Sequence, residues 1–168
     1  MTKKILIVAD FDDTIFSREE QLSKEKIFKE NRWNAWNRVM KEVLWFDYMI
    51  NNYYKNKIFP KDITSKMWKN DIILTAWLKE FQKLKQKACN LENLKMIVVE
   101  KAEEKIEKLI EYVKTLDFKP DLIEVYEDRP KYFIENKEYL EKKLNTKLDI
   151  YYVEMDGNRG YKKIELIK

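Results

Sequence analysis

Ile5-Leu6-Ile7-Val8-Ala9-Asp10-Phe11-Asp12-Asp13-Thr14-Ile15-Phe16 decides how this chain is read. The apolar run is too short for a globular helix, so Lys3 to Ala9 reads as a buried strand. It stops at three carboxylates and a threonine. Asp10 and Asp12 lie two apart just beyond the strand end, where the chain has left the ladder and can turn both toward one pocket. In open α/β sheets, ligands bind outside the carboxyl ends of the strands. Paired carboxylates raise each other's pKa unless a cation lies between them. Magnesium suits the place: it is hard, prefers oxygen, and combines one or two carboxylates with substrate phosphate oxygens. A surface turn of acids is the other reading of the same residues.

Composition narrows the chemistry. At 168 residues, 45% of them hydrophobic and 38% charged, the chain can bury a core and is expected to be soluble. Gly157 and Gly160 are its two glycines, so no glycine-rich phosphate loop exists. With no histidine, histidine triads and histidine zinc sites are excluded. Cys89 is the one cysteine, which excludes an internal disulfide and a cysteine metal cluster. The start lacks the shape of a signal peptide, and no apolar run is long enough to span a bilayer. A cytoplasmic protein without a membrane partner is expected; the oligomeric state is left open.

Residues 17–90 change character. They hold Trp33, Trp36, Trp45, Trp68 and Trp77, and carry 16 Lys/Arg against 9 Asp/Glu, whereas the remainder carries 18 against 21. Trp36, Val39, Met40, Val43 and Leu44 follow helical spacing. A second helix is expected in part of Ile58 to Trp68. A third is expected from about Asp71 to Lys87, striped by Ile72, Leu74, Leu78, Phe81 and Leu84. The spacing predicts a small helical cap over 17–90, inserted into an α/β core formed by 1–16 and 91–168. A basic, aromatic cap suits a phosphorylated substrate, through lysine–phosphate attraction and ring stacking on bases. Tryptophans at helical spacing and a solvated lysine face explain the same pattern without a ligand.

Farther on, Asn93 to Lys101 reads as the second strand, and Ala102 to Leu116 as an amphipathic helix. Leu122 to Tyr126 is a strand that runs into Glu127-Asp128-Arg129-Pro130, with Pro130 suited to a helix start. Acids at a strand end beside a helix N-terminus make a place for a metal with a phosphate near it. A helix from Pro130 to Leu144, a strand over Leu148 to Val153, a turn at Met155 to Gly160 and an edge strand over Tyr161 to Ile167 complete the chain.

The apolar strand with Asp10-x-Asp12-x-Thr14 resembles the first motif of the haloacid dehalogenase-like (HAD) phosphohydrolases. The segment Tyr126-Glu127-Asp128-Arg129 is similar to one in the HAD domains of Swiss Army Knife RNA repair proteins. The resemblance covers residues 3 to 16 and 93 to 153. It implies that Asp10 is the nucleophile and Asp12 the general acid and base. It further implies magnesium held by Asp10, the Asp12 carbonyl and Asp128, with Glu127 second. Family members end the second strand in Ser or Thr; Val98-Val99-Glu100-Lys101 lacks that hydroxyl, for which Thr14 could substitute. The family's phosphate-neutralising lysine falls on Lys119 or Lys101, and Arg129 joins the substrate residues. Only seven residues separate Lys119 from Glu127, so one strand–helix unit reads as shortened.

The expected fold is a three-layer, Rossmann-like HAD core with a mostly parallel sheet and an inserted helical cap. The expected function is a magnesium-dependent phosphatase working through an aspartyl phosphate, on nucleotides or nucleic-acid ends. A phosphatase of a small phosphorylated metabolite and a catalytically degenerate HAD-fold binding module are the alternatives.

Overall fold

The computed structural model describes residues 4–16, 46, 50, 51, 62–155 and 161–167. Six strands form one sheet in the order β3-β2-β1-β4-β5-β6. The strands are β1 (Ile5–Ala9), β2 (Ile72–Ala76), β3 (Lys95–Val99), β4 (Leu122–Glu127), β5 (Lys147–Met155) and β6 (Tyr161–Leu166). All neighbours pair parallel except β5 and β6, which are antiparallel. Strand β1 is central because its side chains are apolar on both faces. Ile7 and Ala9 pack into one core, Leu6 and Val8 into the other. Both cores need a helical cover, as parallel sheets generally do.

The helices supply it. Helix α1 (Lys79–Ala88) covers the Ile7 and Ala9 face, with Phe81 in that core. Phe46, from the inserted segment, stacks on Phe81 at 5.1 Å. The other face is covered by α2 (Lys105–Val113), which contributes Ile106, Leu109 and Ile110, and by α3 (Lys131–Glu135) and α4 (Lys137–Leu144), which contribute Phe133 and Leu140. The fold is α/β and Rossmann-like, with a mostly parallel sheet between helices, as the strand pattern implies.

The main correction falls on residues 71–90. The helix expected from Asp71 to Lys87 is a strand followed by a helix: β2 pairs with β1 and β3, and α1 begins only at Lys79. Ile72 and Leu74 are buried on one face of β2 and Ile73 on the other. Such a doubly buried strand shows no alternation, so a continuous apolar run leading into a helix imitates one long helix. An insertion after β1 therefore ends before Ile72, not at 90. Residues 71–90 thus add a strand–helix unit, β2 and α1, to the sheet core, while β4 alone lies between Lys119 and Glu127.

Smaller differences follow from local chemistry. Within the second expected cap helix, residues 62–68 form only a 3-10 turn at Thr64–Lys66. The buried Asp71 carboxylate accepts from the N–H groups of Ile7 (2.7 Å) and Trp68 (2.6 Å), pulling the chain out of helix and onto β1. The single helix expected over Pro130 to Leu144 breaks at Asn136 into α3 and α4. The helical spacing expected over Trp36 to Leu44 and the turn at 156–160 lie outside the described residues. The expected edge strand over Tyr161 to Ile167 is β6, which among the described residues pairs only to β5.

Along the chain, β2 and β3 lie on one side of β1, and β4 then returns to its other side. The connections thus diverge between the carboxyl ends of β1 and β4, which is where open sheets of this kind leave a crevice. Asp10 follows β1, and Glu127 ends β4.

Candidate metal and phosphoryl-transfer site

The loop after β1 is a tight, internally bonded turn. Asp10 N–H donates to the Tyr126 carbonyl (3.0 Å), which extends the β1–β4 pairing by one step. Asp13 N–H donates to Phe16 O (2.7 Å), and the N–H groups of Ile15 and Phe16 return to Phe11 O. Asp13 has a φ of 58°, within the left-handed region that short polar residues tolerate. Phe11, Ile15 and Phe16 are buried and anchor the turn to the core. The acids therefore sit on a braced loop.

Thr14 is fully buried. Its hydroxyl oxygen accepts from Asp128 N–H (3.1 Å), and its carbonyl accepts from the Tyr161 hydroxyl (2.9 Å). It thus ties the β1 loop to the β4 loop and to β6. The expectation that Thr14 contacts substrate is replaced by that of a strut.

Carboxylate oxygens of Asp10, Glu127 and Asp128 lie within 4.8 Å of one another. Into this cluster reaches the buried Lys105, the first residue of α2. Its Nζ is 2.8 Å from Glu127 Oε2 and 3.1 Å from Asp10 Oδ1. Burial alone would push the Lys105 ammonium down, but Asp10 and Glu127 together outweigh it and hold the group above its ordinary value. Burial pushes Glu127 well above the usual carboxylate range, with Asp10 adding to the rise and Lys105 opposing it. Burial, then Asp10, pushes Asp128 up to about 6, opposed by the Arg129 guanidinium.

These groups suit a divalent ion. Three carboxylates against one ammonium leave roughly two negative charges in a largely buried space, and the oxygens are hard donors close enough to share one cation. Asp10, Glu127 and Asp128 could hold a metal, which agrees with three of the four ligands expected from the sequence. The fourth, Asp12, has its carboxylate oxygen Oδ2 directed instead to α1, where Lys85 Nζ lies at 2.5 Å. Only its backbone carbonyl remains as the ligand that the resemblance implied.

Metal and protons compete for the same oxygens. Because Asp128 is raised to about 6, a divalent ion held there would have to displace a proton below that pH and would meet a deprotonated Asp128 carboxylate above it. Magnesium is expected to raise the unfolding temperature more at pH 7.5 than at pH 5.0, measured by thermal melts with and without chelator.

The two lysines expected to neutralise phosphate are elsewhere. Lys119 is exposed and precedes β4, near the end of the sheet where Asp121 N–H bonds to the Lys4 carbonyl, opposite to Asp10. Lys101 is exposed beyond β3, two strands from β1. Lys105 instead lies against Asp10 and Glu127. Its sequence signal is its position four residues before Leu109, on the inward stripe of α2.

The strand expected to end in Ser or Thr is, by sequence, the one at Val98-Val99-Glu100. That strand, β3, does not touch β1. The neighbour of β1 is β2, which ends in Leu74-Thr75-Ala76, with Thr75 buried two residues past the partner of Ala9. A hydroxyl is therefore present at the carboxyl end of the adjacent strand. The chain then turns sharply at Trp77, whose φ of 113° is costly for any residue but glycine. Trp77 N–H to Val99 O (2.9 Å) and Gln82 Nε2 to Ala76 O (2.8 Å) hold that turn. Arg129 lies at the rim, largely exposed, with Nε 3.3 Å from Asp128 Oδ2.

Comparison of the chain with family models, with curated proteins and with solved structures gave no match. Among the described residues, no helix is long and apolar enough to cross a membrane.

Proposed function

We propose that this protein is a magnesium-dependent phosphomonoester hydrolase that works through an aspartyl phosphate on Asp10. The observation that carries this reading is the convergence of Asp10, Glu127, Asp128 and Lys105 at the crevice between β1 and β4. The resemblance of the β1 loop and of Tyr126-Glu127-Asp128-Arg129 to HAD phosphohydrolases supports it. So does Lys105, whose ammonium lies against Asp10 and Glu127, and so does Thr75, which brings a hydroxyl to the carboxyl end of the strand beside β1.

Asp10, Glu127 and Asp128 would hold the ion. When bound, magnesium neutralises charge on the phosphoryl oxygens and holds them in line with the nucleophile. The remaining chemistry belongs to the chain. An Asp10 oxygen attacks phosphorus while the ester P–O bond breaks, and the leaving oxygen takes a proton from Asp12. Water then attacks the phosphorus of the acyl phosphate, giving its proton to Asp12, and Asp10 returns as a carboxylate with phosphate released. Lys105, whose ammonium lies 3.1 Å from Asp10 Oδ1, holds that carboxylate in place.

The basic character of 17–90 suggests nucleotides or nucleic-acid ends, but Lys79, Lys83, Lys85 and Lys87 belong to core helix α1. Phosphate release should be measured from an aryl phosphate, a nucleoside monophosphate, a sugar phosphate and oligonucleotides with 3′- or 5′-phosphate. Magnesium-dependent release from at least one is expected. No release from any, by folded protein with magnesium bound, would sink the reading.

A further inference from the structure

Lys85 is fully buried on the inward face of α1. Its Nζ lies 2.5 Å from Asp12 Oδ2, 4.9 Å from the ring centroid of Phe11 and 5.4 Å from that of Phe81. Gln82, also fully buried, directs Nε2 to the same Asp12 oxygen (3.4 Å) and to the Ala76 carbonyl (2.8 Å). Two acceptors thus fix which end of the Gln82 amide faces Asp12. Both donors come from one turn of a core helix, which places side chains more precisely than a loop does.

The pair is a poor device for stability. A buried ammonium loses its hydration, and an unbranched apolar side chain would fill the same stripe between Phe81 and Cys89 without that loss. Asp12 does not need the partner to avoid desolvation either, because its side chain is 29% exposed. What the arrangement does achieve is to hold one oxygen of a carboxylate that projects from a turn. We propose that Lys85, seconded by Gln82, is a positioning residue that fixes the Asp12 carboxyl group for proton transfer to the leaving oxygen. The assignment rests on the phosphatase reading above.

Proton donation matters in proportion to the basicity of the leaving oxygen. A nitrophenolate departs with little help, whereas an alkoxide needs the proton. The test compares kcat/KM for p-nitrophenyl phosphate and for β-glycerophosphate, in wild type, Lys85→Met, Asp12→Asn and the double variant. Lys85→Met should lower the alkyl-to-aryl ratio by about 10- to 100-fold, within the span of general acid catalysis. If Lys85 acts through Asp12, adding Lys85→Met to Asp12→Asn should cost less than about twofold more. Gln82→Met should shift the ratio the same way by a smaller factor, and it replaces Lys85→Met if that variant does not fold. An unchanged ratio, or losses that multiply in the double variant, would overturn the assignment while leaving a working wild-type phosphatase. If wild type turns over neither substrate, the alkyl ester is taken from the panel above; release from none of that panel would overturn the phosphatase reading and this assignment with it.

Discussion

Lys105→Met is expected to destabilise the protein by about 3–5 kcal/mol at neutral pH, the usual cost of removing one partner from a buried ion pair. The substitution keeps the length of the side chain and most of its packing on α2. It leaves Glu127 and Asp10 without the ammonium that lies 2.8 and 3.1 Å from them. The sign with pH follows from the acids. Glu127 is held well above its unfolded value, chiefly by burial and then by Asp10. Its contribution to stability is complete below the unfolded pKa and is lost as pH rises through the folded one. Removing Lys105 raises that folded value further. The gap between variant and wild type should therefore widen from pH 5 to pH 8, and magnesium should narrow it. Urea denaturation at the two pH values, with and without magnesium, measures all of this. A surface lysine would give a change within about 0.5 kcal/mol at either pH. Turnover should fall with the same substitution by about 100- to 1,000-fold, as when a charge-stabilising donor is removed.

Asp10→Asn is expected to have the opposite profile. Turnover should fall by at least about 10,000-fold, because an amide cannot carry the phosphoryl group through a labile acyl phosphate. The fold should survive within about 1 kcal/mol in the absence of magnesium. Asparagine keeps the shape of the side chain, and removing one carboxylate relieves the acids it faces. Asp10 is the leading charged neighbour that raises both Glu127 and Asp128. The stabilisation conferred by magnesium should shrink, because one of the three carboxylates of the cluster is lost. Thermal melts and a phosphate-release assay on one preparation separate the two effects. A large loss of metal-free stability would mark Asp10 as structural.

Much of the site is legible in the sequence because its acids sit where an apolar run stops. Ile5 to Ala9 and Leu122 to Tyr126 are each apolar enough to be strands, and each ends in carboxylates. That pattern is local, and it is enough to group Asp10, Glu127 and Asp128. The rest depends on contacts between residues far apart in the chain. Ile72 to Ala76 carries no periodic signal because the sheet buries it on both faces, and without that strand Thr75 cannot be set beside β1. Lys105 and Lys85 escape a sequence reading for a related reason. Each lies on the inward stripe of its helix, Lys105 beside Ile106 and before Leu109, and Lys85 between Phe81 and Cys89. Long charged side chains usually reach solvent from such positions. These two cannot, because carboxylates from the β1 and β4 loops meet them inside. A lysine on an otherwise apolar stripe, in a chain with acids gathered at its strand ends, is the available clue.

The central claim is that Asp10 carries the phosphoryl group. Asp12→Asn should slow hydrolysis of that intermediate more than its formation from a good leaving group, so the phosphoprotein should accumulate. The most direct measurement incubates this variant with magnesium and an aryl phosphate labelled at phosphorus, and quenches in acid. About one hydroxylamine-sensitive label per chain is expected, mapping to Asp10 and absent with chelator or when Asp10→Asn is added. Magnesium-dependent phosphate release by the wild type, with no label on Asp10 in the variant, would contradict the account.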